Sequence, residues 1–327
     1  MNQKNFTDQI FNQIIAAAKI IRAGGVVAFP TETVYGLGAD AFNPNAVEKI
    51  FELKQRPTFD PLIVHICSTA QLNLVCKETD ERLFLLAEKF WPGPLTIVVN
   101  KNKNVPDIVT SGLKTVGIRY PSHPIAAELI KQANTPIAAP SANKFGRVSP
   151  TSADHVRKYF PKLDYIIDGG KSSVGIESTI IKLNPEGFEI LRHGIVTREE
   201  IEKIIPYSAE AKFNLNIAAP GMMKSHYSPA KQFYILSDKI LKKINPKESG
   251  LISFTGLYDS DFKLVVKLTE NKNLREAAVN LFSAIHTLEE SDINFIVAEP
   301  VPEEGIGIAI MDRLRKATYN SMRSLEP

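Results

Sequence analysis

Apolar residues recur at helical spacing at Phe11, Ile14, Ile15, Ala18 and Ile21, and the stripe runs into Gly24 and Gly25, which predicts a helix stopping there. Val26–Phe29 follows as an unbroken apolar run, the pattern of a buried strand. The alternation continues with helices over Ala46–Lys54, Glu81–Phe90 and Pro124–Gln132, and strands over Leu62–Ile66, Leu95–Val99 and Pro136–Ala139. Helices interleaved with strands predict an α/β sheet covered on its faces. Strands at Tyr165–Ile167, Thr179–Leu183 and Phe188–Leu191 come without long helices between them, so the sheet is expected to be mixed.

Periodicity lapses over residues 207–230, where Pro220, Gly221 and Pro229 stand among small and polar residues, and this reads as a linker. A second α/β pattern begins beyond it, with strands at Phe233–Leu236, Gly250–Phe254, Leu264–Leu268 and Phe295–Ala298. Its long helix carries one apolar stripe through Leu274, Ala277, Ala278, Leu281, Phe282, Ile285 and Leu288. The expected organisation is a first domain over 1–206, a linker over 207–230 and a smaller Rossmann-like α/β domain over 231–327. A length of 327 residues against the usual domain size of about 100 to 150 residues agrees with two units.

Composition changes this picture little. With 44% hydrophobic and 23% charged residues the chain has apolar surface to bury, and a net charge of +3 falls short of what marks a duplex-binding protein. An anionic small molecule explains that bias as well. Cys67 and Cys76 are too few for a disulfide framework and lack metal-site spacing, so both read as plain thiols. Lys19 and Arg22 interrupt the apolar N-terminal stretch, and no run approaches the roughly 20 apolar residues of a membrane span, which leads us to expect a cytoplasmic protein.

Four strings carry more chemistry than their elements need. PTETVYGLG, Pro30–Gly38, follows a buried strand where a sheet end opens onto a crevice; the Thr31 and Thr33 hydroxyls, with amides freed by Gly36 and Gly38, suit an anion or amino acid. It is neither a P-loop nor a dinucleotide fingerprint, and it reads equally as a tight structural turn. In LKQRPTFDPLIVHI, Leu53–Ile66, Lys54 and Arg56 end a helix as a cationic pair able to grip phosphates, or to complement the helix dipole. His65 in the adjoining strand reads by itself as a core histidine. APSANKFGRVSPT, Ala139–Thr151, and DGGKSSVGIESTI, Asp168–Ile180, are loops rich in hydroxyls and glycine, the second followed by Leu191-Arg192-His193-Gly194. Each alone could be a connector; four in one domain point to a site.

Taken in order, and with WPGPLT at Trp91–Thr96, VGIRYPSHP at Val116–Pro124, PGMMKSHYSP at Pro220–Pro229 and GIGIAIMDRLRKA at Gly305–Ala317, these strings resemble the YrdC-like threonylcarbamoyl-AMP synthase family in its long two-domain form. The resemblance implies a YrdC-like twisted mixed sheet and a nucleotidyltransferase that makes threonylcarbamoyl-AMP from ATP, L-threonine and bicarbonate for tRNA modification. Lys54, Arg56, Ser141 and Asn143 would line the ATP phosphates and carry catalysis, with Thr115, Ser149, Arg192 and Tyr227 also near the nucleotide. Thr33, His65, Arg119, the backbone at Ala139, and Ser178 would hold threonine, Arg119 pairing its carboxylate. Asp60 stands where the family usually has Asn; a carboxylate beside a triphosphate repels it unless a metal intervenes, and the position remains in the nucleotide site.

Magnesium is implied with ATP, though no ligand cluster marks a metal site. The expected partners are a downstream threonylcarbamoyl-transfer complex and a weak tRNA contact, with no membrane. The linker, with Met222, Met223, His226 and Tyr227, is expected to act as a lid over the active site, against the alternative of a tether that only docks the second domain. A carbamoyl-handling maturation factor is a rival that would add zinc-finger or acylphosphatase-like modules, which the sequence lacks. An RNA-binding module is a second rival, resting on Arg313, Arg315, Lys316 and Arg323; that run reads as a solvated helix face.

Overall fold

Thr7 caps the first helix, Asp8–Arg22, by accepting from the Ile10 amide, and the helix buries Ile14, Ala17, Ala18 and Ile21 on one face. That face packs with Leu129 and Ile130 of the helix Pro124–Ala133 against Val27, Phe29 and Ile137 of a sheet. The computed structural model describes residues 6–77, 80–208, 220 and 226–323. Gly221, Met222 and Met223, central to the expected lid, lie outside the described residues.

Among the described residues, twelve strands form two sheets. The first contains β1 (Val27–Phe29), β2 (Gly36–Asp40), β3 (Ile63–His65), β4 (Leu95–Asn100), β5 (Thr115–Arg119), β6 (Ile137–Ala139), β7 (Thr179–Asn184) and β8 (Gly187–Arg192), in the order β1-β2-β6-β3-β5-β4-β7-β8. It is mixed, as expected: β3–β5 and β4–β7 are parallel and the other neighbours antiparallel. The second contains β9 (Gln232–Ile235), β10 (Ser249–Ser253), β11 (Leu264–Lys267) and β12 (Phe295–Ala298), all parallel, in the order β11-β10-β12-β9. The long helix is Leu274–Glu290, and a last helix, Ile306–Arg323, packs on it and on β9.

Two expectations need correction. The second half of PTETVYGLG is strand β2, not a loop: Gly36 pairs with Phe29 and Gly38 with Val27. A Cβ at Gly38 would come within 2.6 Å of the Phe29 ring and of Ile137, so these glycines admit close packing of neighbouring strands and do not free amides for a ligand. The strand expected at Tyr165–Ile167 reduces to one bridge, Ile166 to Ala28, because Gly169 and Gly170 follow at once and Gly170 turns the chain with φ +79°.

Register fixes what the central strands present. His65 lies opposite Arg119 and Ile63 opposite both Gly117 and Ala139, so the period of two sends Ile63, His65 and Arg119 to one face. The opposite face, with Val64, Ile118 and Ala138, joins the main core.

The second domain docks on the loops of the first. Gly175, at φ +79°, lies against the backbone of Ala278 and Val279, where a Cβ would come within 2.3 Å of the Val279 carbonyl oxygen. The His286 ring sits 3.1 Å by Nε2 from the Ser149 carbonyl, Tyr227 packs 5.2 Å from the Phe282 ring, and Lys158 pairs with Glu290.

Candidate active site

A cleft opens above the face that carries His65 and Arg119, walled by the turn after β1, the end of β6 and residues near Glu177 and Arg192. Of the residues expected to bind substrates, Thr33, Arg56, His65, Arg119, Ala139, Ser141 and Arg192 line it. Pro220 and His226 line it too, so the linker borders the cleft.

Arg119 is the centre. Its Nη1 donates to Thr33 Oγ1 at 2.9 Å, and Nη2 lies 2.7 Å from Glu32 Oε1. That contact is a close buried ion pair, and Arg119 Nε has no hydrogen-bond partner. A guanidinium only 4% exposed with its Nε donor open is a place for a further anion. Burial works to raise the Glu32 carboxyl, and Arg119 outweighs it, leaving Glu32 below its ordinary value. His65, pushed down to about 3 by burial and by Arg119, stays neutral, and its Nδ1 is unpartnered.

The cationic pair behaves differently from a free phosphate grip. Lys54 Nζ donates to the carbonyl of Ser141 at 2.7 Å and to that of Asn143, and burial, then Arg56, pushes it well below the usual lysine value. Lys54 therefore ties the 141–143 loop to the helix. Arg56 donates to the carbonyls of Asp60 and Pro61 at 3.0 and 2.8 Å and pairs with Asp60 Oδ2 at 2.9 Å. Asp60 thus holds Arg56 in place, a role for the carboxylate that needs no metal. Burial raises the Asp60 carboxyl against the pull of Arg56 and Lys54.

Other expected residues stand behind the lining. Asn143 donates to the carbonyls of Lys144 and Arg147, leaving Oδ1 unpartnered. Ser178 Oγ is 2.8 Å from Thr96 Oγ1 and accepts from Arg192 Nη2 at 3.0 Å. Ser149 donates to Glu177. Thr115 lines a smaller cavity with Thr96 and Thr110, which shares Ile63 and Pro220 with the cleft. Tyr227 is outside the lining: with φ +61° its ring turns onto Phe282, and its hydroxyl is buried without a partner. Sequence reasoning missed Glu32 and Glu177; the available signal was a lone carboxylate inside a buried, hydroxyl-rich turn in each case.

Residues 19–194 match a family model described as Telomere recombination, that of Sua5, YciO and YrdC, and residues 196–318 match one described as Threonylcarbamoyl-AMP synthase, C-terminal domain. The threonylcarbamoyl-AMP synthase of Pyrococcus abyssi is 44% identical over 324 residues, 94% of each chain. The chain belongs to the threonylcarbamoyl-AMP synthase family. Another member, from Bacillus subtilis, is 39% identical over 322 residues, 93% of this chain and 92% of its own. The crystal structure of P. abyssi Sua5 complexed with L-threonine superposes with a TM-score of 0.86, covering 94% of both chains. Membership brings the class of nucleotidyl-transferring enzymes, and the two-domain fold is shared along almost the whole length.

Proposed function

We propose that this chain condenses L-threonine, carbon dioxide drawn from bicarbonate, and ATP into threonylcarbamoyl-AMP and pyrophosphate, for N6-threonylcarbamoyladenosine modification of tRNA. The observation that carries it is Arg119, buried at the cleft floor with its Nε donor unpartnered, beside Thr33 and in a cleft also reached by Arg56 and Arg192. The relative solved with L-threonine supports the amino-acid half of this reading.

Arg119 takes the threonine carboxylate and Thr33 steadies the guanidinium. The threonine amine, as free base, attacks carbon dioxide; a new N–C bond forms, the amine proton passes to solvent, and a carbamate results. A carbamate oxygen then attacks the α-phosphorus as the bond to pyrophosphate breaks. No covalent enzyme intermediate is needed, so orientation and charge stabilisation are the protein's contribution. His65, kept neutral by burial and by Arg119 and with Nδ1 unpartnered, is placed to orient threonine. Magnesium enters as part of the substrate, magnesium-ATP: among the described residues no three His, Cys, Asp or Glu side chains converge to hold an ion, and Asp60 is committed to Arg56.

Residues 1–206 are assigned the catalytic role, 207–230 that of a lid and 231–327 the docked second domain. Pro220 and His226 in the cleft wall support the lid, and a mixed anhydride prone to hydrolysis gives it a purpose. The product passes to a threonylcarbamoyl-transfer complex in the cytoplasm. An RNA-binding module is disfavoured because Arg313, Arg315 and Lys316 of the basic run are each engaged by an acidic partner. Arg313, expected to be solvated, is fully buried; Arg315 pairs with Glu303, and Lys316 with Asp312. Pyrophosphate release from magnesium-ATP, measured with threonine and bicarbonate each withheld in turn, tests the reading: release should require both, and release indifferent to threonine refutes it.

A further inference from the structure

Glu177 is a carboxylate in the wall of a cleft that the proposed function fills with a polyanion. It is 6% exposed, so its charge is poorly screened by water. Left alone it would oppose ATP. Its partner comes from the other domain: Arg313, in the last helix and 0% exposed, reaches Glu177 Oε2 with both Nε and Nη2 at 3.3 Å. Arg313 is itself held there, its Nη1 donating to the His193 carbonyl and its guanidinium lying 5.7 Å from the Tyr227 ring. Glu177 Oε1 in turn accepts from Ser149, so both carboxylate oxygens are occupied and the group cannot swing away.

We propose that Arg313 is a positioning residue for the nucleotide site: from the C-terminal domain it neutralises and fixes Glu177, so that the positive charge Arg56 and Arg192 bring to the cleft is not offset by a bare carboxylate once the second domain is docked. This rests on the proposed reaction and extends it by giving the second domain a part in ATP affinity without touching ATP. Geometry favours this over simple domain cement, since cement needs no carboxylate in the cleft wall. A buried pair broken on one side leaves an uncompensated charge, whereas removing both partners does not.

The test is a charge cycle on the full chain, read as Kd for magnesium-ATP and for threonine by calorimetry. Arg313→Met should weaken ATP at least tenfold and threonine, a zwitterion, by less than threefold. Adding Glu177→Gln to it should recover at least tenfold of the ATP loss. Arg313→Gln with Glu177→Gln, which leaves no charge unpaired, gives a second reading should Arg313→Met not fold, and is expected within threefold of wild type for ATP. ATP affinity unchanged in Arg313→Met, or a double variant still tenfold weaker than wild type, overturns the proposal. A wild-type protein that binds no ATP refutes the proposed function instead.

Discussion

Two places in the molecule, the face above β3 and β5 in the first sheet and the carboxyl ends of β10 and β12 in the second, are finished in opposite ways. In the first, buried polar atoms are left open: Arg119 Nε and His65 Nδ1 in its lining, and Asn143 Oδ1 behind it, have no partner. In the second, the carboxyl ends of β10 and β12 meet where the strand order reverses, the place a parallel sheet offers a ligand. There Glu299, 1% exposed, fills the position with the protein's own anion. It accepts from the Phe254 and Thr255 amides at 2.5 Å each and from Thr255 Oγ1 at 2.6 Å. A Rossmann-like outline therefore says little about ligand binding; open buried donors say more.

The sharpest way to break this comparison is to remove a cation from the open cleft. Arg56→Ala should lower turnover by roughly 10²-fold to 10³-fold, the scale for losing one charge-stabilising group, and pyrophosphate release within a few fold of wild type would deny it that role. Arg119→Ala should weaken threonine binding far more than ATP binding; equal losses for both ligands would make Arg119 a structural arginine. Calorimetric titration with each substrate separates the two outcomes.

The closed place should respond in stability alone. Glu299→Ala strands the buried Phe254 amide and the half-buried Thr255 amide and hydroxyl, at about 1–3 kcal/mol for an unsatisfied buried group, and urea unfolding should show that loss. Pyrophosphate release at 25 °C should stay within twofold of wild type. A tenfold fall in activity with unchanged stability would turn the second place into a functional one.

The contrast also explains what the sequence made legible. Helix Glu81–Phe90 and strand Phe295–Ala298 have the bounds their patterns predict, because local periodicity and caps decide them. Strand β2 was hidden since its two glycines mark close approach to Phe29, a contact made across the sheet that no local pattern records. Among site residues, Thr33, His65, Arg119 and Ser141 were legible as motif positions, and they converge. Glu32, Glu177 and the burial of Arg313 were not, because each depends on a partner far along the chain: Arg119 for Glu32, and Arg313 and Glu177 for one another, 136 residues apart. A basic run read locally as solvent-facing was in part an ion pair across two domains.

The smallest effect concerns the seam between the two regions. His155 of the first domain stacks on His286 of the second, ring centroids 3.8 Å apart. Burial, then Lys158, pushes His155 down to about 4; burial, then His155 itself, pushes His286 down to about 3. Asp154 and Glu290 pull the other way without prevailing. In the unfolded chain both rings titrate near 6.5, so from about pH 4 to 6.5 the unfolded state holds more protons than the folded one. The stability these neutral rings contribute is then complete above about 6.5 and is lost as pH falls towards the folded values. Melting temperature should drop across that window, and His155→Asn combined with His286→Gln, which cannot titrate, should drop less steeply even if its starting value is lower. Parallel slopes for wild type and the double variant would show that the histidine stack does not govern acid sensitivity, and would return the seam's strength to Gly175 and the Arg313–Glu177 pair.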